Sequence, residues 1–295
     1  MNKAQCFLCG STDTKFLLES FNLHGRHLLD KKKAFKIFRC LKCGSIFVGG
    51  VEINDQYYKK YYPVDYYDES TSGKKLINLA LGFLDKFSLK RKQKFILKNV
   101  KSKDKKLKIL DVGCGGGNFL SGLDSSLFEK YGVEINKKGY KRCLEKGFKV
   151  YNQELTDIDF QDKKFDIVTL WHVLEHIEKP MGLLNGINHI LKNNGVLILD
   201  TPNTNSLGFK YGRENWFHLD SPRHLILYNR KSINWLLKKN KFKIIEVKNE
   251  FYDYPFDLFW SIKKSIFRFV IYPFYPTFKL LSREHLTFVC KKNEG

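Results

Sequence analysis

Leu107–Asn118 reads LKILDVGCGGGN, and the reading of this stretch decides the fold. Leu107, Ile109, Leu110 and Val112 form a short apolar run of the kind a buried parallel strand carries. Gly113, Gly115, Gly116 and Gly117 follow, and Phe119 and Leu120 then open a helical pattern. Glycines at a strand-to-helix turn let backbone N–H groups approach a ligand with no side chain in the way. Taken alone, such a turn is also compatible with having no ligand. Two details narrow the reading. A dinucleotide fingerprint needs a third glycine at position 118, where this chain has Asn118, so a pyrophosphate ligand is disfavoured. Asp111 stands two residues before the first glycine, and a carboxylate there suits a ligand with a positive end.

Working outward, Phe128–Ile135 (FEKYGVEI) reads as a second strand that carries Glu134 near its end, 23 residues beyond Asp111. A carboxylate at the end of the strand next to a glycine loop can accept both hydroxyls of a ribose. Alternatively, Glu134 is a surface residue at a strand end. A helix over 137–146, a third strand over 148–151 and a strong fourth strand over 165–170 follow. A helix over 181–191, a turn at Asn194-Gly195 and a fifth strand over 196–199 come next. A helix over 230–240, a sixth strand over 242–247 and a last strand over 285–290 complete the pattern.

D-x-G-C-G-x-G over 111–117 resembles motif I of the class I S-adenosylmethionine (SAM)-dependent methyltransferases. The resemblance covers roughly 105–250 and 285–292, about half of the chain. It implies an α/β fold: a seven-stranded, Rossmann-like, doubly wound sheet with a reversed last strand, and SAM as cofactor. It assigns Asp111, Gly113, Gly115, Gly117 and Glu134 to that cofactor. Glu154 and Leu155 match the place where related enzymes meet the adenine amino group. Trp171-His172-Val173-Leu174-Glu175-His176 is similar to the segment after strand four in ubiquinone-biosynthesis methyltransferases, which ends in a similar Leu-Glu-His. Those enzymes carry Met-Glu where this chain has His172-Val173, so their substrate does not carry over. Trp171 would line the cofactor site, an aromatic face suiting a sulfonium, or else pack in the core. The Asn/Asp-Pro-Pro-Tyr motif of base-methylating enzymes is absent at this spot, which disfavours a nucleic-acid substrate.

The chain has 295 residues, enough for one large domain with an appendage. Its net charge of +21 favours anionic partners, unless it is a lysine bias spread over the surface. No run of 18 apolar residues and no apolar segment at the N-terminus points to a spanning helix or signal peptide, so a cytoplasmic location is expected. Cys6-x-x-Cys9-Gly10 and Cys40-x-x-Cys43-Gly44 are paired knuckles resembling a zinc ribbon over residues 1–50. Four thiolates would make a tetrahedral structural zinc site and let a small segment with little core fold. Free thiols or a redox pair are the alternatives. His24 and His27 lie between the knuckles and are left out of the shell.

Residues 51–104 read as a connector rich in tyrosine (Tyr57, Tyr58, Tyr61, Tyr62, Tyr66 and Tyr67), broken by Pro63, and then a helix over 74–100. The methyltransferase unit is expected over 105–295. Within it, Trp216–Leu225 (WFHLDSPRHL) follows strand five and looks like a loop of bacterial methyltransferases near polysaccharide synthesis. It would be a substrate loop, with Arg223 for an anionic group and His224, then His218, as general base; His172 is a third candidate. A hydrogen-bonded structural loop is the other reading. The insert 251–284 carries aromatic residues interspersed with Lys263, Lys264 and Arg268. It is either a lid or an amphipathic segment able to touch the inner membrane surface.

The expected activity is methyl transfer to a small-molecule or saccharide acceptor, nucleotide- or lipid-linked. An RNA methyltransferase using the ribbon and the basic surface, and a non-catalytic SAM-binding scaffold, are the alternatives.

Overall fold

The computed structural model describes residues 4–21, 33–62, 75–101, 105–248 and 254–293, with side chains omitted over 75–85. Near the N-terminus, β1 (Thr14–Phe21), β2 (Ala34–Cys40) and β3 (Ile46–Gly49) form an antiparallel meander. Its β-branched and aromatic residues (Phe35, Ile37, Phe38, Ile46, Phe47 and Val48) are buried, as a sheet face packed on a core requires. Next come α1 (Asp55–Tyr61) and α2 (Lys75–Asn99). Asn54 caps α1 by accepting from Tyr57 N at 3.0 Å.

The main sheet contains β4 (Leu107–Val112), β5 (Phe128–Val133), β6 (Lys149–Tyr151), β7 (Phe165–Trp171) and β8 (Leu191–Pro202), followed by β10 (Phe242–Lys248) and β11 (His285–Lys292). Their order is β10-β11-β8-β7-β4-β5-β6. β4 to β8 all run parallel, with β6 at one edge, while β11 lies antiparallel to both β8 and β10. This is the seven-stranded α/β sheet with a reversed last strand that the sequence implied. The strand order reverses at β4, which puts the ends of β4, β5 and β7 at the switch point where open α/β sheets hold ligands.

Alternating residues divide into two cores, one per face. Leu110, Val112, Val168, Leu170, Leu197 and Leu199 point to one side, and Leu183, Leu184 and Ile187 of α5 (Pro180–Ile190) join them. Ile109, Ile167, Val196, Ile198 and Val289 point to the other, with Phe95 and Ile96 of α2. Pairing of Phe165 with Leu191 and of Ile167 with Val196 leaves Lys192–Gly195 bulged out of β8. The Asn194-Gly195 turn therefore sits inside a longer strand than the sequence suggested.

The small sheet extends past the expected boundary at residue 50. Its fourth strand is β9 (Ile226–Leu227), which pairs with β3. Cys6, Leu8, Phe35 and Ile46 share one continuous core with Leu225, Ile226, Leu227 and Ile233. Asn229, which caps the helix Arg230–Lys239, also donates to Gly44 O at 2.9 Å. The knuckle segment is therefore the backing of residues 225–229 rather than a separate bead.

Among its described residues the insert carries the short α-helices Asp257–Ile262, Arg268–Ile271 and Tyr275–Ser282, with a 3-10 turn over Tyr272–Phe274. Leu258, Ile262 and Ile271 form its own small core against Leu207 and Tyr211. Among the described residues no helix is long and apolar enough to cross a membrane.

Candidate active site at the carboxyl edge of the sheet

Gly113, Gly115 and Gly117 have φ of +70°, +54° and +75°, the left-handed region that favours glycine. At Gly113 an added Cβ would also stand 2.6 Å from Val173 Cγ2, so the turn after β4 is seated directly on the turn after β7. Glu134 is almost fully buried at the end of β5. Its two carboxylate oxygens accept from Gly115 N and Asn136 N, both at 2.7 Å. Burial pushes its carboxyl up, and these two N–H donors pull it back. Asn152 fastens the same strand end by donating to Glu134 O at 2.7 Å.

Asp111 is buried beside Thr169, whose hydroxyl donates to it at 2.6 Å. Burial raises this carboxyl to about 7, against the pull of Thr169 and of Lys92. Lys92 belongs to the helix α2, whose lysines and arginine give it a basic face. Its Nζ lies 4.4 Å from the centre of the Trp171 ring, and the residue is buried. No sequence signal marked it, because helical periodicity alone does not say which lysine meets the sheet edge. Phe119 packs edge-on against Trp171 at 5.4 Å. Leu155 is buried in the core beside Gly186, while Glu154 is exposed.

Next to Trp171, His172 is a non-glycine residue with φ of +54°. Such a backbone costs roughly 1–2 kcal/mol, so neighbouring contacts must hold it. Its Nδ1 faces Glu175 Oε1 at 3.4 Å and its Nε2 faces Asp200 Oδ1 at 3.3 Å. His285, the first residue of β11, lies edge-on to His172 at 4.7 Å and to His218 at 4.4 Å. The tyrosine ring of Tyr254 packs against all three. His285 carries no sequence signature, and Asp200 is marked only by following strand five at the carboxyl edge of the sheet. They come together because the antiparallel β11 starts at the edge where β7 and β8 end.

The 216–225 loop is anchored deep in the fold. Trp216 is fully buried and donates from Nε1 to Glu284 Oε2 at 2.8 Å. His218 Nε2 meets Asp257 Oδ2 at 3.1 Å. Arg223 Nη2 donates to Asp220 Oδ1 at 2.5 Å. His224 Nδ1 bonds the carbonyl of His218 at 2.7 Å, and its ring abuts His176 at 4.7 Å. Burial holds His218 down at about 3, and it also lowers His224. Both rings are therefore neutral near pH 7. Of the three catalytic candidates, His172 keeps the most exposed side chain, at 17%, against 4% for His218 and 10% for His224. From the connector, Tyr57 and Tyr62 donate to the carbonyls of Pro222 and Arg223 at 3.0 and 3.1 Å. These two tyrosines pack the loop; Tyr66 and Tyr67 lie outside the described residues.

In the knuckles, Cys6 Sγ and Cys43 Sγ are 3.7 Å apart and Cys9 Sγ and Cys40 Sγ 3.5 Å, with all four sulfurs within 4.8 Å of one another. A tetrahedral ion with bonds of about 2.3 Å to sulfur sets an S···S distance of about 3.8 Å, so the four thiols fit such an ion. His24 and His27 lie outside the described residues.

A family model for a methyltransferase domain matches residues 84–247. The ubiquinone biosynthesis O-methyltransferase of Pasteurella multocida (strain Pm70) is 30% identical over 112 residues, 32% of this chain and 46% of that protein. Its counterpart in Rickettsia felis is 34% identical over 113 residues, 36% of this chain and 46% of that protein. The chain thus spans about half the length of the curated relatives it matches. Magnesium protoporphyrin IX methyltransferase from Synechocystis PCC 6803, solved with bound SAM, shares the fold at a TM-score of 0.51 and 13% identity, covering 82% of this chain and 99% of that one.

Proposed function

We propose that this chain, which belongs to the methyltransferase-domain family, transfers a methyl group from SAM to a small-molecule acceptor, a lipid-linked sugar or similar amphiphile being the class its surface suits best. The observation that carries the reading is the left-handed glycine turn flanked by the buried carboxylates Asp111 and Glu134 on neighbouring strands. The residues present fit the donor: Glu134 for the ribose hydroxyls, Asp111 for a cationic end, the Trp171 face for a sulfonium and the Lys92 ammonium for a carboxylate. Glu154 and Leu155 are assigned to the adenine side. Bound there, SAM supplies a methyl carbon that an acceptor lone pair takes while the S–C bonding pair leaves on sulfur. His172, at the mouth beside Trp171, is assigned to the acceptor side, and His218 and His224 to holding the wall behind it. The test is transfer of labelled methyl from SAM to RNA, lipid and small-molecule pools from cell extract in parallel. Label in the lipid or small-molecule pool is expected. Label in RNA alone would replace this reading, and tight SAM binding with no label in any pool would make the chain a scaffold.

Cys6, Cys9, Cys40 and Cys43 are assigned to one structural zinc ion, which would cross-link the knuckles and hold β3 under residues 225–229. The insert supports contact with an anionic lipid surface. Phe256, Ile266, Phe269, Val270, Phe274, Leu280 and Leu281 are all more than half exposed, with Lys263, Lys264 and Arg268 among them. Vesicles containing phosphatidylglycerol are expected to sediment the protein, and vesicles of phosphatidylcholine alone much less. Ile266→Glu with Phe269→Glu is expected to lower the bound fraction by about tenfold or more and to leave SAM binding unchanged. Equal sedimentation of the double variant removes the membrane contact from the reading.

A further inference from the structure

Three groups of metal-capable side chains crowd the carboxyl edge of the sheet: His172 with Asp200 and His285, His218 with Asp257 and His285, and Glu175 with His176 and His224. The second already holds the Lys279 ammonium on Asp257, and a cation there would face that charge at close range. In the third, both oxygens of Glu175 are taken, Oε2 by the Thr201 hydroxyl and Oε1 facing His172 Nδ1. The first group differs from both.

We propose that His172 Nε2, Asp200 Oδ1 and His285 Nδ1 form a site for a divalent first-row transition metal at the acceptor side of the cleft. His172 Nε2 stands 3.3 Å and His285 Nδ1 3.7 Å from Asp200 Oδ1. These spacings bracket the separation of about 3.4 Å that a tetrahedral ion with bonds near 2.1 Å imposes on its ligands. His285 Nδ1 is buried and makes no hydrogen bond among the described residues.

The far atom of each ligand is also engaged. His172 Nδ1 faces Glu175 Oε1 at 3.4 Å, His285 Nε2 faces Asp257 Oδ2 at 3.3 Å, and Asp200 Oδ2 accepts from Thr287 Oγ1. A carboxylate behind each metal-facing imidazole is what fixes ring orientation and tautomer in metal sites. His172 is also tied to Asp200 through the backbone, its N–H donating to Asp200 O at 3.1 Å. Two imidazoles and one carboxylate suit a transition metal rather than Mg2+ or Ca2+. Three protein ligands leave a coordination position open, and the open side is that of His172, the one ligand with a partly exposed side chain. A metal held there would acidify an acceptor hydroxyl, which would give its proton to solvent and take the methyl carbon while the S–C bonding pair stays on sulfur. That use rests on the methyl-transfer reading; occupancy of the site does not.

The experiment measures binding with no methyl donor present. Full-length protein with its thiolates loaded with zinc is titrated with Mn2+ and followed by the decay of the free-ion paramagnetic resonance signal, because a hard ion avoids the four thiolates. Wild type is expected to take up about one Mn2+ per chain. His285→Gln and His172→Gln are expected to weaken uptake at least tenfold. Retention of zinc and a cooperative thermal melt show that each variant is folded. No uptake of Mn2+, Co2+ or a second zinc by wild type overturns the proposal, as does uptake by either folded variant equal to wild type. If SAM binds and metal does not, the metal site fails while the methyl-transfer reading stands.

Discussion

With zinc held by the four knuckle thiolates as proposed, Cys40→Ser is expected to lose the ion and to loosen residues 225–229 together with the knuckles. Binding of structural zinc is folding free energy for a small segment, on the order of 10 kcal/mol in isolated zinc modules, so three thiolates are not expected to keep β1–β3 in place. The loss would not stay local. β3 pairs with β9 through Ile46–Leu227 and Phe47–Ile226, Val48 N donates to Leu225 O at 3.1 Å, and Asn229 reaches Gly44 O. The segment so held continues directly from the 216–225 loop. Metal analysis is expected to find about one zinc in wild type and none in the variant. Hydrogen exchange is expected to lose protection at Val48 and Leu227, and methyl transfer to fall with SAM affinity little changed. Full zinc content in Cys40→Ser, or unchanged protection at Leu227, would refute this coupling.

The second large effect is expected at Asp111, in opposite directions for stability and binding. Its carboxyl is raised from 3.8 to about 7 in the folded chain, chiefly by burial. For an acid raised on folding, the folded state holds the proton more tightly. Stability from this group is then complete below about pH 4 and is lost as pH rises through about 7. Asp111→Asn keeps a neutral side chain at every pH. Denaturant unfolding is therefore expected to find the variant level with wild type near pH 4 and more stable by a few kcal/mol at pH 8. Binding of SAM is expected to weaken about tenfold or more in the variant, since a charged partner for the donor's ammonium is gone. In wild type, SAM affinity is expected to rise between pH 5.5 and 7.5 as the carboxylate forms, with the proton released on binding. A variant less stable than wild type at pH 8, or one that binds SAM with unchanged affinity, would remove Asp111 from the site.

The central strands β4, β7 and β8 were readable because each carries a short apolar run, as buried parallel strands do. The structure adds the caps of two of the expected helices, Asn136 and Asn229. What escaped was of one kind. Lys92, Asp257 and His285 are ordinary residues of a helix, an insert and a strand end, and nothing local distinguishes them. The 216–225 loop stood out for its histidines and arginine, yet the partners of His218 and Trp216, Asp257 and Glu284, come from the insert and its junction with β11.

By itself, the sequence placed most strands of the main sheet, the glycine turn and the paired knuckle cysteines, while the order of the sheet was what the family resemblance implied. Each placement rests on residues close in the chain, where periodicity, backbone freedom and ligand spacing act locally. Only the tertiary structure decided that the knuckle sheet continues through β9, that Lys92 faces Trp171, and that His172, Asp200 and His285 meet. The physical reason is the reversed last strand. An antiparallel β11 begins at the edge where the parallel strands end, so its first side chains face theirs across a distance that no sequence spacing records.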